Sequence, residues 1–320
     1  MLKVLLIKTS SLGDVVHNLP VAGDIRRRFP EARIDWVVEE AYAPLVALHP
    51  SVAGVIPVAI RRWRSRPLGP STWSEILDLR RRFRKQPYDA VIDTQGLIKS
   101  ALLARAARGR RHGFDAGCAR EGFAARLYDV THHVARNLHA VTRNRLLVAS
   151  ALGYRADTPA EYGIRPAAGA ADSERRGRYT VFLHSTSRAD KLWPIDRWIG
   201  LGRALERRGM RCVLPWGSDE ERRRSEAIAG ELGSAQVPAL APIAELAAML
   251  SGAAAVVGVD TGLTHLAAAL GVPVIALFCG TDPALTGVYG ASNARNLGGA
   301  GERPEVGTVL KTLDELEAQL

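Results

Sequence analysis

Two successive series of short Val/Ile/Leu-rich runs, each run followed by an amphipathic stretch of helical length, constrain the fold of this chain more than any single residue does. This alternation is the sequence form of a parallel sheet with helical crossovers, because a strand buried on both faces reads as a continuous apolar run. The first series predicts strands at Lys3–Lys8, Ile34–Val38, Val55–Val58 and Ala90–Asp93, with helices at Val15–Phe29, Trp73–Arg84, Ile98–Ala107 and His139–Leu152. The second predicts strands at Thr180–His184, Cys212–Pro215, Ala255–Val259 and Val274–Phe278, with helices at Arg197–Arg208, Glu220–Leu232, Ile243–Leu250 and Leu263–Leu270. Between the series, Tyr162–Asp172 is rich in Gly, Pro and Ala, lacks periodicity and reads as a linker. The chain has 320 residues, 47% of them hydrophobic, enough for two cores of ordinary size, expected at 1–166 and 167–320. Open α/β sheets bind ligands at the carboxyl ends of their strands, so two in tandem are expected to face a central cleft. Val306–Leu320 reads as a last helix, able to pack on either half.

Charge narrows the partners. The balance of 43 Lys and Arg against 33 Asp and Glu gives +10, which favours nucleic acid, an anionic membrane surface or a phosphorylated substrate. Cys118, Cys212 and Cys279 are odd in number and far apart, so neither a disulfide framework nor a zinc site follows, and a reducing compartment is expected. The apolar run at the start is broken at Lys8 with no cleavage site after it, and Leu263–Phe278 is too short to span a bilayer, so a soluble or peripheral protein is expected.

Five segments carry chemistry. Gly258-Val-Asp-Thr-Gly-Leu-Thr-His265 sits between an expected strand and an expected helix, where unpaired amides and the helix dipole suit phosphate oxygens. Asp260 would repel phosphate, so it makes sense as an acceptor for ligand hydroxyls; a ligand with both phosphates and a polyol, such as a sugar nucleotide, fits. The turn Lys8-Thr-Ser-Ser-Leu-Gly-Asp14 has neither a GxGxxG nor a Walker pattern, which weighs against nicotinamide and NTPase readings. From this turn alone Asp14 reads first as a helix N-cap and second as a catalytic base, with His17 as the rival base. Arg61, Arg62 and Arg64 flank Trp63 in an expected loop, and further arginines lie at 80–84, 108–111 and 120. Such forks bind phosphate and carboxylate bidentately or simply face solvent; for 80–85 the solvated face is favoured, with a membrane-surface role as the alternative. In His184–Pro194, Thr186 and Ser187 offer hydroxyls and Lys191 a movable charge to a diphosphate. In Leu214–Arg222, Glu220 or Glu221 can accept from ribose hydroxyls, or merely complement a helix dipole.

Taken together, Lys8–His17, Asp35–Glu40, Ile56–Arg64, Tyr88–Gly96, Lys191–Pro194, Leu214–Gly217 and Val259–His265 resemble the lipopolysaccharide heptosyltransferases of glycosyltransferase family 9, in order and over nearly the whole chain. The resemblance implies a GT-B fold, ADP-L-glycero-β-D-manno-heptose on the second domain and Kdo2-lipid A on the first. It makes Asp14 the general base. It gives the diphosphate to Thr186, Ser187, Lys191, Thr261, Gly262 and His265, the heptose hydroxyls to Asp260 and the ribose to Glu221. It gives acceptor phosphates or Kdo carboxylates to Arg61, Arg62, Arg64 and Arg120. The resemblance implies inverting transfer to a lipid acceptor on the cytoplasmic face of the inner membrane, and since no Asp-x-Asp pair lies near either phosphate turn, transfer without metal or other cofactor is expected. The alternatives are a heptosyltransferase acting on a heptose acceptor, a non-catalytic sugar-nucleotide sensor, and a basic nucleic-acid-binding module; the last leaves Asp260 and Lys191 without a purpose.

Overall fold

The computed structural model describes residues 1–164 and 179–319. Contacts divide the chain into two units, Met1–Gly163 and Ile164–Leu320. The linker expected at Tyr162–Asp172 and the boundary expected after residue 166 lie, from Arg165 onward, outside the described residues.

The first unit runs β1 (Lys3–Ile7), α1 (Leu12–Val16), α2 (Leu19–Arg28), β2 (Arg33–Glu39), α3 (Ala43–Val46), β3 (Gly54–Val58), α4 (Ile60–Ser65), α5 (Pro70–Lys85), β4 (Pro87–Asp93), α6 (Ile98–Ala106), β5 (Arg108–Phe114), β6 (Val130–His132) and α7 (Ala140–Leu152). Its sheet has the order β3-β2-β1-β4-β5-β6, with every pair parallel. The second unit runs β7 (Tyr179–Leu183), α8 (Ile195–Glu206), β8 (Arg211–Val213), α9 (Asp219–Ala229), β9 (Ala235–Gln236), α10 (Ile243–Ser251), β10 (Ala255–Val259), α11 (Gly262–Ala269), β11 (Val274–Phe278), α12 (Pro283–Thr286), β12 (Ala294–Gly298) and α13 (Val306–Glu317). Its order is β12-β11-β10-β7-β8-β9, again parallel throughout. Counted within each unit, both sheets have the order 3-2-1-4-5-6, seen from opposite edges in the second case. The winding reverses between β1 and β4 and between β7 and β10, so loops leaving these neighbours diverge and open a crevice at their carboxyl ends.

Each sheet is held by its own apolar core. Leu5, Ile7, Val37, Phe83 and Val91 cluster in the first unit, and Phe182, Trp198, Val257 and Leu277 in the second. Trp198 lies 5.0 Å from Trp193, edge on, and 4.9 Å from Phe182; burying side chains of this size contributes about 1.5–3 kcal/mol each. In the first unit a buried ion pair joins α2 to α7: Arg145 donates to Asp24 at 2.7 and 3.0 Å and to the Thr158 carbonyl at 2.7 Å, which satisfies the buried charges. Cys118, Cys212 and Cys279 are unpaired and buried.

Several expectations change. The single helix expected at Val15–Phe29 is two, α1 and α2, broken at His17–Asn18, because Pro20 in the first turn of α2 lacks an N–H and cannot continue a helix from before it. The expected loop at Arg61–Arg64 is the short helix α4. Arg108–Arg111, read as a basic cluster, belongs to strand β5. The final helix packs on α8, β11 and β12, in the second unit.

Candidate active site

The first-unit site is built on the ends of β1 and β4. The amides of Thr9 and Ser10 donate to the Gln95 side chain at 3.0 and 3.3 Å, which ties the turn after β1 to the turn after β4. Asp93, fully buried at the end of β4, accepts from the Gln95 amide at 2.8 Å and from the Tyr128 hydroxyl at 2.7 Å, and burial pushes its carboxyl above the usual range. Gly96 adopts φ +69°, and a Cβ there would meet the Arg120 amide at 3.3 Å. A left-handed glycine therefore lets the Arg120 segment approach this turn.

Asp14 sits within the first turn of α1. The cap is Ser11, and Asp14 reaches back to accept its amide at 3.0 Å. The N-cap reading of Asp14 is thus corrected: it is the third helical residue, in a capping-box contact. Its carboxylate also receives both arms of the Arg120 fork, at 2.6 and 3.2 Å. Burial alone would raise its pKa, but Lys8, Arg120 and the Ser11 amide together hold it below the usual carboxylate range. Lys8 opens the turn quoted from the sequence, which assigns it no role of its own. It is 4% exposed, donates to the Thr94 carbonyl at 2.8 Å, and burial pushes its ammonium down to about 8. Lys8, Asp14, Gln95, Arg120, Arg143 and Asn144 line a recess of about 30 Å³, room for little more than a water. His17, the rival base, is 4% exposed with its ring edge-on against His139.

The arginines divide. Arg120 is placed on Asp14. Arg62 is closed on Glu40 and Glu75, with four N···O distances between 2.8 and 3.3 Å. Arg61 donates to the Tyr42 hydroxyl at 3.2 Å and stacks over that ring, while Arg64 is exposed. Nearby, Asp115, Cys118 and His133 bring possible metal-ligand atoms within 4.8 Å of one another. They bond to each other, the Asp115 carboxylate meeting His133 Nδ1 at 2.8 Å, and Arg143 donates to the Cys118 carbonyl at 2.6 Å, a poor neighbour for a divalent cation.

The second-unit site occupies the equivalent crevice, between β7 and β10. Gly258 in β10 leaves room for Thr264: a Cβ there would come within 2.2 Å of the Thr264 hydroxyl, which donates to the Val259 carbonyl at 2.7 Å. The start of α11 is thereby drawn against the strand end. Thr261 caps α11 in extended conformation, and Gly262 opens the helix. Asp260, 8% exposed, accepts from Lys191 Nζ at 2.6 Å and from the Thr281 hydroxyl at 2.7 Å, and its other oxygen lies 3.5 Å from His265 Nε2. Burial would raise its pKa; the bonds from His265, Lys191 and Thr281 outweigh it and hold the carboxyl far below the usual range. The Thr186 hydroxyl donates to the Asp260 carbonyl at 3.0 Å, and Ser187 is exposed beside it. Thr281 escaped the sequence reading, although Gly280-Thr-Asp282 after the apolar run of β11 is a turn of the same kind. Glu221 accepts the Gly217 amide at 2.7 Å while its own amide bonds the Ser218 hydroxyl at 3.3 Å, so one oxygen serves the start of α9; Glu220 is exposed.

Two doubly wound parallel sheets of one strand order, each with a polar cluster at its switch point, are the architecture of the GT-B glycosyltransferases. Residues 76–312 match the model of glycosyltransferase family 9 (heptosyltransferase), and the chain belongs to that family. It is 43% identical over 291 residues to lipopolysaccharide heptosyltransferase 1 of Escherichia coli K12, covering 90% of this chain and 91% of the relative. The solved E. coli heptosyltransferase WaaC with ADP superposes with a TM-score of 0.90 at 40% identity, covering 98% of this chain and 100% of that one. The same enzyme with ADP-2-deoxy-2-fluoro heptose gives 0.86 at 39% identity, covering 98% and 99%.

Proposed function

We propose that this chain is heptosyltransferase I of lipopolysaccharide inner-core synthesis. It transfers L-glycero-D-manno-heptose from ADP-heptose to a Kdo hydroxyl of Kdo2-lipid A, with inversion and without a metal. The observation that carries the donor half is the convergence of Lys191, Thr186, Asp260 and Thr281 on the start of α11. The amides that open α11 and the hydroxyls of Thr186, Ser187 and Thr261 are placed to receive the diphosphate. Lys191, 2.6 Å from the Asp260 carboxylate, serves the phosphate oxygens, and Asp260 accepts from heptose hydroxyls with His265 and Thr281 orienting it. Glu221, or Glu220 beside it, takes the ribose.

In the first unit, Asp14 is ionised at neutral pH because of the cations around it, which makes it competent to take a proton. It removes the proton of the acceptor hydroxyl as that oxygen bonds to the anomeric carbon. The bond from that carbon to the phosphate oxygen breaks on the opposite face, and ADP departs with its charge met by Lys191 and the helix start. Arg120 is a positioning residue for Asp14, with one face open to an acceptor anion. Arg61 and Arg64 are available to acceptor phosphates or carboxylates, and Arg62 joins them only by releasing Glu40 and Glu75. Among the described residues no helix is long and apolar enough to cross a membrane, and the lipid acceptor places the enzyme peripherally on the cytoplasmic face of the inner membrane.

The test is ADP release from ADP-heptose, with and without de-acylated Kdo2-lipid A, in EDTA. Acceptor-dependent release is expected. Release only with a heptose-terminated acceptor would move the assignment to another heptosyltransferase, and donor binding without release would leave a sensor.

A further inference from the structure

The basic excess of this protein is not spread over the chain. Residues 1–163 carry 26 Lys and Arg against 15 Asp and Glu, whereas residues 164–320 carry 17 against 18. Exposed apolar side chains share the bias. Of nine large ones standing exposed among the described residues, six fall between Leu68 and Phe123.

Helical spacing gathers both kinds on one surface. On α5, Trp73, Leu77, Arg80 and Arg84 follow i, i+4, i+7, i+11 and so share a stripe spanning about 60°. On α6, Ile98, Leu102 and Arg105 repeat the i, i+4, i+7 spacing. The two stripes adjoin: Arg80, Arg84, Arg105 and Arg108 together line a recess of about 370 Å³ whose lining contains no carboxylate. Trp73 and Leu102 are each 54% exposed. Asp78 points to another side of α5, where it pairs with Arg81 at 2.9 Å. On both helices the apolar residues come first and the arginines last. Because α5 and α6 precede parallel strands, the apolar end lies toward the carboxyl edge of the sheet, where Asp14 sits.

We infer that the α5/α6 face is the surface by which this protein docks on an anionic phospholipid bilayer. The inference rests on the membrane association proposed above and names the side chains that achieve it. Exposed Trp and Leu at helical spacing insert at the boundary between headgroups and acyl chains, and arginines whose stems lie along the same face carry their charge to lipid phosphates. A solvated basic helix face explains the arginines but not the apolar residues in line with them. A protein partner would account for the apolar residues, yet the carboxylate-free recess calls for a dense anionic surface.

The experiment is flotation of the full chain with phosphatidylcholine vesicles, with and without phosphatidylglycerol, at physiological salt. The wild type is expected to float with the anionic vesicles alone. Arg84→Ala/Arg105→Ala is expected to lower partitioning about thirty-fold, each arginine near an anionic surface contributing roughly a factor of five. Trp73→Phe is expected to remove most of the tryptophan quenching by lipids brominated in their acyl chains. Both variants should turn over de-acylated acceptor within about twofold of wild type, since neither touches the catalytic recess. If the wild type floats and the variants float and quench equally well, another face is used and the inference falls while membrane association stands. If the wild type does not float with anionic vesicles, both fall, and turnover of the soluble acceptor judges the transferase separately.

Discussion

The two sheets share a strand order, yet their switch-point crevices hold carboxylates in different company. Asp14 is outnumbered: a buried lysine and the arms of Arg120 act on one carboxylate, and Arg143 lines the same recess. Asp260 is nearly balanced, with one lysine, one threonine hydroxyl and an imidazole, and it stands at the start of an eight-residue helix whose amides add directional donors. The first arrangement suits an anionic partner and a base kept ionised. The second suits a diphosphate joined to hydroxyls. The comparison teaches that the fold supplies the place and the loops supply the chemistry.

The strongest way to break this comparison is Asp14→Asn, expected to lower kcat by about 10²–10⁴ while ADP-heptose binding by calorimetry is unchanged. Near-normal turnover in a folded variant would remove Asp14 from the mechanism. Lys191→Ala should act on the other site, lowering kcat/KM for ADP-heptose by roughly 10²-fold and weakening ADP itself, since the variant lacks the charge-assisted phosphate contact proposed for Lys191. A smaller effect is expected from Arg120→Lys, which replaces a fork with a point charge. Asp14 is held down partly by Arg120, so its pKa rises in the variant and the acid limb of the pH–rate profile moves to higher pH. An unmoved limb would show that Arg120 does not tune Asp14.

Lys8 sharpens the comparison further. Its folded pKa is lowered from 10.5 to about 8, so it loses its charge as pH rises through 8, and an alkaline limb is expected there and should vanish in Lys8→Met. The linkage has the opposite sign for stability. Between about 8 and 10.5 the unfolded chain binds more protons than the folded one, so folding stability rises with pH across that window. The smallest effect is expected of EDTA, which should leave initial rates within about twofold on the proposal that Lys191 and a helix start serve the leaving group in place of a metal.

Much of this was legible in the chain itself. The eight expected strands all occur, because a doubly buried strand needs an apolar run, and the polar turns after Ile7 and Val259 stand out against their apolar flanks. What escaped detection lacked a local signature. β5 begins Arg-Gly-Arg-Arg, its first residues lie exposed, and only pairing with β4 and β6 makes it a strand. β6 and β9 are only three and two residues long, and they and β12 lie at sheet edges, where one neighbour rather than a residue pattern decides. Thr281 and Lys8 joined their sites through contacts across 21 residues and across neighbouring strands, which no spacing rule reports.

The sequence by itself determined the two α/β series, the residue types at each strand end and, through its motifs, the family. Tertiary structure alone decided how those residues pair. It closed Arg62 on Glu40 and Glu75, set the Arg120 fork on Asp14, and gave Lys191 to Asp260. The physical reason is range. Strand and helix patterns arise from neighbours a few residues apart, whereas ion pairs and pKa shifts depend on groups that meet only once the sheets have formed and excluded water.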